Sequence, residues 1–169
     1  MTSNRESVSA KIRLVLDTNV WLDWLVFDDI AIVPIREALA AKRVEILIDA
    51  ACEAELERVL AYDLGPHTLD AAARGECIAE CRRVARRVDA PLSEAQRARL
   101  PACRDADDQK FLEAAFAAGA QFLLTRDRAL LELAHHEKAH PRALPFRVVT
   151  PEGFADDLLP RSLAKALPD

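Results

Sequence analysis

Short apolar runs that end in a carboxylate or a hydroxyl alternate along the chain with longer segments in which apolar positions recur every three or four residues. The first pattern marks buried strands, the second helices packed on them. Lys11 to Asp17 (KIRLVLD) predicts a first strand with Asp17 at its C-terminal end. An apolar stretch with two tryptophans follows from Val20 to Phe27, and Pro34 suits the first position of a helix through Ile35, Leu39 and Ala41. Val44 to Asp49 predicts a second strand, and Asp49 is placed to cap a helix over Ala50 to Ala61 that carries Glu55. A longer helical region is expected from Pro66 to Val88, with Gly75 as a candidate interruption and Asp89 to Pro91 as its close. Ser93 and Gln96 have the spacing of a capping box. Arg104 to Asp108 (RDADD) opens another helix, with Phe111, Leu112, Ala115 and Ala118 as its apolar stripe and Gly119 as its stop. Gln121 to Thr125 predicts a third strand, Arg126 and Asp127 a turn with a capping Asp, and Ala129 to Ala134 a helix. Phe146 to Val149 predicts a last strand, and Pro151 opens a short helix. Strands alternating with helices, joined by connections long enough for crossovers, predict an α/β fold: a central, mostly parallel sheet with helices on both faces.

At 169 residues the chain fits one domain, 1–169, able to bury its own core. No run reaches the roughly 18 apolar residues of a membrane span, so no membrane association is expected. The N-terminus contains Glu6 and lacks a long apolar stretch, so it does not read as a secretory signal, and a cytoplasmic address is expected. Cys52, Cys77, Cys81 and Cys103 have no paired CxxC spacing and read as free thiols. A net charge of −5 excludes nucleic-acid binding through overall basicity. Arg82, Arg83, Arg86 and Arg87 would form one basic face if the helix continued through them, a solvated face being the plainer account.

In an open parallel sheet ligands sit beyond the carboxyl ends of the strands, where Asp17 and Asp127 are expected. Asp105 and Asp108 share one face of a helical first turn, and Glu55 lies about one turn into the helix after the second strand. Carboxylates from three places could therefore converge. They can share a small site only if they raise one another's pKa or hold a cation between them. With no His or Cys at ligand spacing, the donors are oxygens, which favours Mg²⁺ or Mn²⁺ over zinc. Such sites support metal-assisted phosphodiester hydrolysis. The plainer account of each Asp is a helix N-cap, and Asp49 is read only in that way.

The residues resemble a known family, the PIN-domain nucleases, and within it the toxin-like proteins of bacterial toxin–antitoxin systems. The resemblance rests on Leu14 to Val20 (LVLDTNV), Glu55 to Leu60 (ELERVL), Arg104 to Leu112 (RDADDQKFL) followed by Ala114 and Ala115, and Leu123 to Asp127 (LLTRD). It covers about residues 12–154 and implies a PIN-like, Rossmann-like three-layer sandwich with short tails. It implies that Asp17, Glu55, Asp108 and Asp127 form a catalytic acidic quartet binding Mg²⁺ or Mn²⁺, with Asp105 as a fifth ligand. Asn19 would hold the loop of the first carboxylate, and Thr125 would orient Asp127 or a metal-bound water. The implied activity is endonucleolytic cleavage of single-stranded RNA by activated water. A homodimer and a cognate antitoxin protein are the implied partners. With an acidic chain, RNA contact falls to residues such as Arg126 and Arg128, although Arg126 stands where the family often has a small residue. The segment from His135 to Leu144, with His136 and His140, reads as a solvated loop.

Two other strand-end carboxylate chemistries fit less well. A haloacid-dehalogenase phosphatase needs an Asp where Asn19 stands, and a phosphoacceptor receiver needs a Lys after its last strand, which Phe146 to Thr150 does not offer. The non-enzyme alternative is a PIN-like module that binds RNA or protein without cutting. Acids at all four motif positions count against it.

Overall fold

The computed structural model describes residues 10–135 and 144–158. Five parallel strands form one sheet: β1 (Ile12–Leu16), β2 (Val44–Ile48), β3 (Ala85–Arg87), β4 (Phe122–Leu124) and β5 (Arg147–Val149), in the order β3-β2-β1-β4-β5. Helices cover both faces: α1 (Thr18–Leu25), α2 (Val33–Ala40), α3 (Ala50–Leu60), α4 (Ala71–Val84), the short α5 (Glu94–Arg97), α6 (Gln109–Ala117), α7 (Arg128–His135) and α8 (Pro151–Leu158). Single 3₁₀ turns occupy Ile30–Ile32, Gly65–His67 and Ala106–Asp108.

The central strand is dry along its second half. Leu14, Val15 and Leu16 are all buried, as a parallel strand covered on both faces requires. Trp21, Ile35, Leu56, Phe111, Leu112 and Phe154 bury the inner faces of five helices against the sheet. Cys52, Cys77 and Cys81 are buried free thiols, and burial raises all three pKa values, that of Cys81 to about 12. Among the described residues no helix is long and apolar enough to cross a membrane.

Local signals act where expected. The Asp49 side chain accepts from the Cys52 amide, and Ser93 and Gln96 form both bonds of a capping box. Gly119 takes φ +61 just past α6, a conformation that costs an L side chain 1 kcal/mol or so.

The region from Pro66 to Val88 differs from expectation. Its helix begins at Ala71, runs unbroken through Gly75 and stops at Val84, after which Ala85–Arg87 pair with β2 as an edge strand. Ala and Arg favour helix locally, but pairing with Ile46, Leu47 and Ile48 prevails. The basic helical face is therefore absent. Arg82 bonds Glu53 and Glu57, Arg83 bonds Glu80, Arg86 bonds Glu45, and Arg87 bonds Asp89 and Glu53. Arg82, Arg86 and Arg87 secure α4 and the charged edge strand to their neighbours, while Arg83 pairs within α4. Of the segment read as a loop, 136–143 lies outside the described residues, and His135 closes α7.

Candidate active site

The strand order reverses direction at β1. From there the chain winds outward through β2 and β3, then returns to β1's other edge for β4 and β5. A crevice opens at such a switch point, beyond the carboxyl ends of β1 and β4. Leu16 pairs with Leu124, which sets Asp17 beside Thr125, and the Asp17 amide donates to the Leu124 carbonyl at 2.9 Å.

Asp17 departs from the simple cap. It is the N-cap of α1 and only 3% exposed, yet its side chain lacks the usual cap bond to the amides further into the first turn. Its Oδ2 instead accepts from the fully buried Thr125 hydroxyl at 2.6 Å. Burial pushes the Asp17 pKa up, bonds from Thr125 and the Thr18 amide oppose this, and the charges of Glu55 and Asp127 raise it further. Thr125 also accepts from the Asp127 amide at 2.9 Å, so one hydroxyl ties together two carboxylate-bearing loops. The side chain is thus directed at Asp17, and its link to Asp127 runs through the backbone.

Asp127 caps α7, Oδ1 accepting from the Leu130 amide at 2.9 Å, and Asp105 caps the 3₁₀ turn before α6 by accepting from the Asp107 amide. Asp108 makes no side-chain cap bond. Its pKa is raised to about 6, first by burial and then by Asp17, Asp127, Asp105 and Glu55. The other four acids therefore lie within electrostatic reach of Asp108, although the five come from the end of β1, α3, the turn before α6 and the loop after β4.

Two side chains not foreseen from the sequence hold Glu55. The Thr18 hydroxyl donates to Oε1 at 2.9 Å, and the Lys110 ammonium pairs with Oε2. Lys110 stands two residues after Asp108, but its partner is 55 residues away, so no local pattern marks the pair. Asn19, one residue beyond Thr18, is exposed.

Arg126 is built into the fold. Its guanidinium bonds Asp23 at 2.5 Å and Glu152 at 2.8 Å and lies 3.6 Å from Asp29, joining α1, the loop before the first 3₁₀ turn, and α8. Its side chain keeps 33% exposure, and its part in RNA contact stays an expectation. Arg128 is exposed at the start of α7.

The donors suit a hard cation. They are carboxylate oxygens, and the nearby Cys103 thiol, raised to about 11 by burial and by Asp108, Asp127 and Asp105, stays protonated near neutral pH. Burial first, and then the four neighbouring carboxylates, raise the proton affinity of Asp108, and a bound cation would relieve the second of these. Among the described residues, however, no group of three or more His, Cys, Asp or Glu is drawn close enough to hold an ion. A cleft of about 670 Å³ between α1, α2 and α4, lined by Trp24, Arg36, Cys77 and Glu80 among others, contains none of the five acids.

A parallel sheet with helices on both faces and carboxylates gathered at its switch point places the protein in the α/β class, and comparison with known proteins identifies the family. The sequence pattern of the PIN domain matches residues 13–129, a span holding all five acids, and the chain belongs to the PIN domain family. PIN domains are generally metal-dependent nucleases. The fold is similar to that in the crystal structure of PAE2754 from Pyrobaculum aerophilum, with a TM-score of 0.51 and 14% identity over 94% of this chain and 98% of that one. No curated protein matches the sequence.

Proposed function

We propose that the protein is an endoribonuclease that hydrolyses single-stranded RNA with Mg²⁺ or Mn²⁺, and that it is the toxin of a type II toxin–antitoxin pair. The observation that carries the nuclease reading is the placement of Asp17, Glu55, Asp105 and Asp127 within electrostatic reach of Asp108 at the sheet's switch point, where burial first and then these four charges raise the Asp108 carboxyl to about 6. Asp17, Glu55, Asp105, Asp108 and Asp127 would hold the ion. Bound there, a hard divalent cation supplies Lewis acidity toward the phosphoryl group and a water nucleophile near neutral pH.

The chain's own residues prepare that chemistry. Thr125 fixes the rotamer of Asp17 and the start of the Asp127 loop, Thr18 fixes Glu55, and the capping bonds of Asp105 and Asp127 each fix one oxygen. Preorganised acids spare the site a reorganisation cost when charge develops in the transition state. Arg128 stands exposed one residue after Asp127, where a phosphate of the substrate strand would meet it. The toxin assignment rests on the resemblance of the four motifs, and it carries a homodimer and an antitoxin as expected partners.

Purified protein incubated with structured and unstructured RNA in Mg²⁺, Mn²⁺ or EDTA, beside the Asp17→Asn, Asp108→Asn double variant, tests the activity. Cleavage of unstructured RNA that needs metal and vanishes in the double variant is expected. Metal uptake by the wild type with no cleavage of either RNA would turn the assignment to a non-cutting PIN-like module. A neighbouring reading frame for a small DNA-binding protein would support the toxin role.

A further inference from the structure

Lys110 is in an unfavourable place for an ordinary surface lysine. It is the second residue of α6, where the positive end of the helix disfavours a cation. Its side chain is only 22% exposed, and its partner Glu55 only 13%. Lysine is rarely buried to that degree without a charge to neutralise. Both oxygens of Glu55 are engaged, Oε1 by Thr18 and Oε2 by Lys110. Arg58, also near Oε2 at 3.8 Å, is 56% exposed and approaches from the solvent side. Among the described residues no three acids close on a common point.

We propose that Lys110 is the resident cation of the acidic site. It neutralises Glu55 in the metal-free protein, and a divalent ion must displace it to gain that carboxylate. This rests on the acids being a metal site, as proposed above. Lys110 then does two things, the second of which a permanent tie between α3 and α6 does not do. It holds Glu55 ordered while the site is empty, and it sets a threshold of metal concentration below which Glu55 stays with the lysine. The exchange is favourable because a dication interacts with several carboxylates at once, whereas the ammonium satisfies one.

The test is calorimetric titration of Mn²⁺ into the wild type, Lys110→Met and Lys110→Arg at fixed ionic strength, with thermal melts to show that each is folded. Lys110→Met is expected to bind Mn²⁺ about tenfold more tightly, the size of one unit charge acting on a dication from roughly 6 Å in watery surroundings. Lys110→Arg, which keeps the charge, should resemble the wild type. Equal or weaker binding by Lys110→Met, with the wild type still binding, overturns the proposal and leaves the metal site standing. No uptake by any of the three overturns the metal site and the proposal together. A second readout uses the wild type alone: the Lys110 ammonium signal in ¹⁵N nuclear magnetic resonance should broaden or shift on adding Mg²⁺, as the ion pair opens. A signal unchanged at saturating Mg²⁺ overturns the proposal.

Discussion

Thr125→Val removes one hydroxyl from the centre of the site and leaves the shape of the side chain almost unchanged. The Thr125 hydroxyl donates to the Asp17 carboxylate at 2.6 Å and accepts from the Asp127 amide at 2.9 Å, with Thr125 fully buried. A hydrogen bond to a charged group contributes about 1.5–3 kcal/mol, and an amide left without its partner costs about 1–3 kcal/mol. The two losses do not add in full, because Asp17, whose pKa is already raised, can retreat to its neutral form. A net loss of about 3 kcal/mol follows, equivalent to roughly 6–12 °C in Tm for a chain of this size. Thr125→Ser keeps the hydroxyl and should lose only about 1 kcal/mol for the missing methyl. Urea and thermal melts in EDTA measure both. Thr125→Val within about 0.5 kcal/mol of the wild type, or no more stable Ser variant, would refute the account of Thr125 as the tie between the two acidic loops.

Two further outcomes follow from the charges. Asp108 titrates at about 6 in the folded protein, above its ordinary 3.8, so between those values the unfolded chain has lost a proton that the folded chain keeps. Stability of the metal-free protein should therefore fall as pH rises through that window. Asp108→Asn should flatten the fall and be about 1 kcal/mol more stable than the wild type at pH 7 in EDTA, allowing for solvent screening; lower stability of the variant would contradict the repulsion described. Arg126→Met strands Asp23, whose side chain is only 11% exposed, and should cost about 3 kcal/mol in a urea melt. A variant as stable as the wild type would mean that Arg126 is not a structural clamp.

Much of this architecture can be read along the chain because its signals are local. β1, β2, β4 and β5 are short apolar runs with polar ends, and Asp49 and the Ser93–Gln96 pair declare their helix starts within four residues. Asp17, Glu55, Asp105, Asp108 and Asp127 stand out because strand ends and helix starts meet at one edge of a parallel sheet. What stayed hidden depends on partners distant in sequence. The Ala85–Arg87 stretch has helix-forming residues and becomes a strand only because β2 offers it an edge. Nothing near Arg126 announces Asp23, 103 residues earlier, and nothing near Lys110 announces Glu55. Asp17 shows the limit from the other side. Its position reads as a cap, and only the Thr125 hydroxyl across the sheet shows that its carboxylate is held for something else.

The inward pairing of Arg82, Arg83, Arg86 and Arg87 bears on how the protein meets a partner. Each positive charge is matched within a few ångströms by Glu or Asp, so the cluster behaves at a distance as a set of dipoles. Such dipoles fade within a Debye length, and the net charge of −5 repels a polyanion beyond it. Encounter with the proposed RNA substrate would then be unsteered, and its rate would rise with salt rather than fall. Speed of capture would have to come from proximity, through a tether or a shared assembly, and not from the field of the protein.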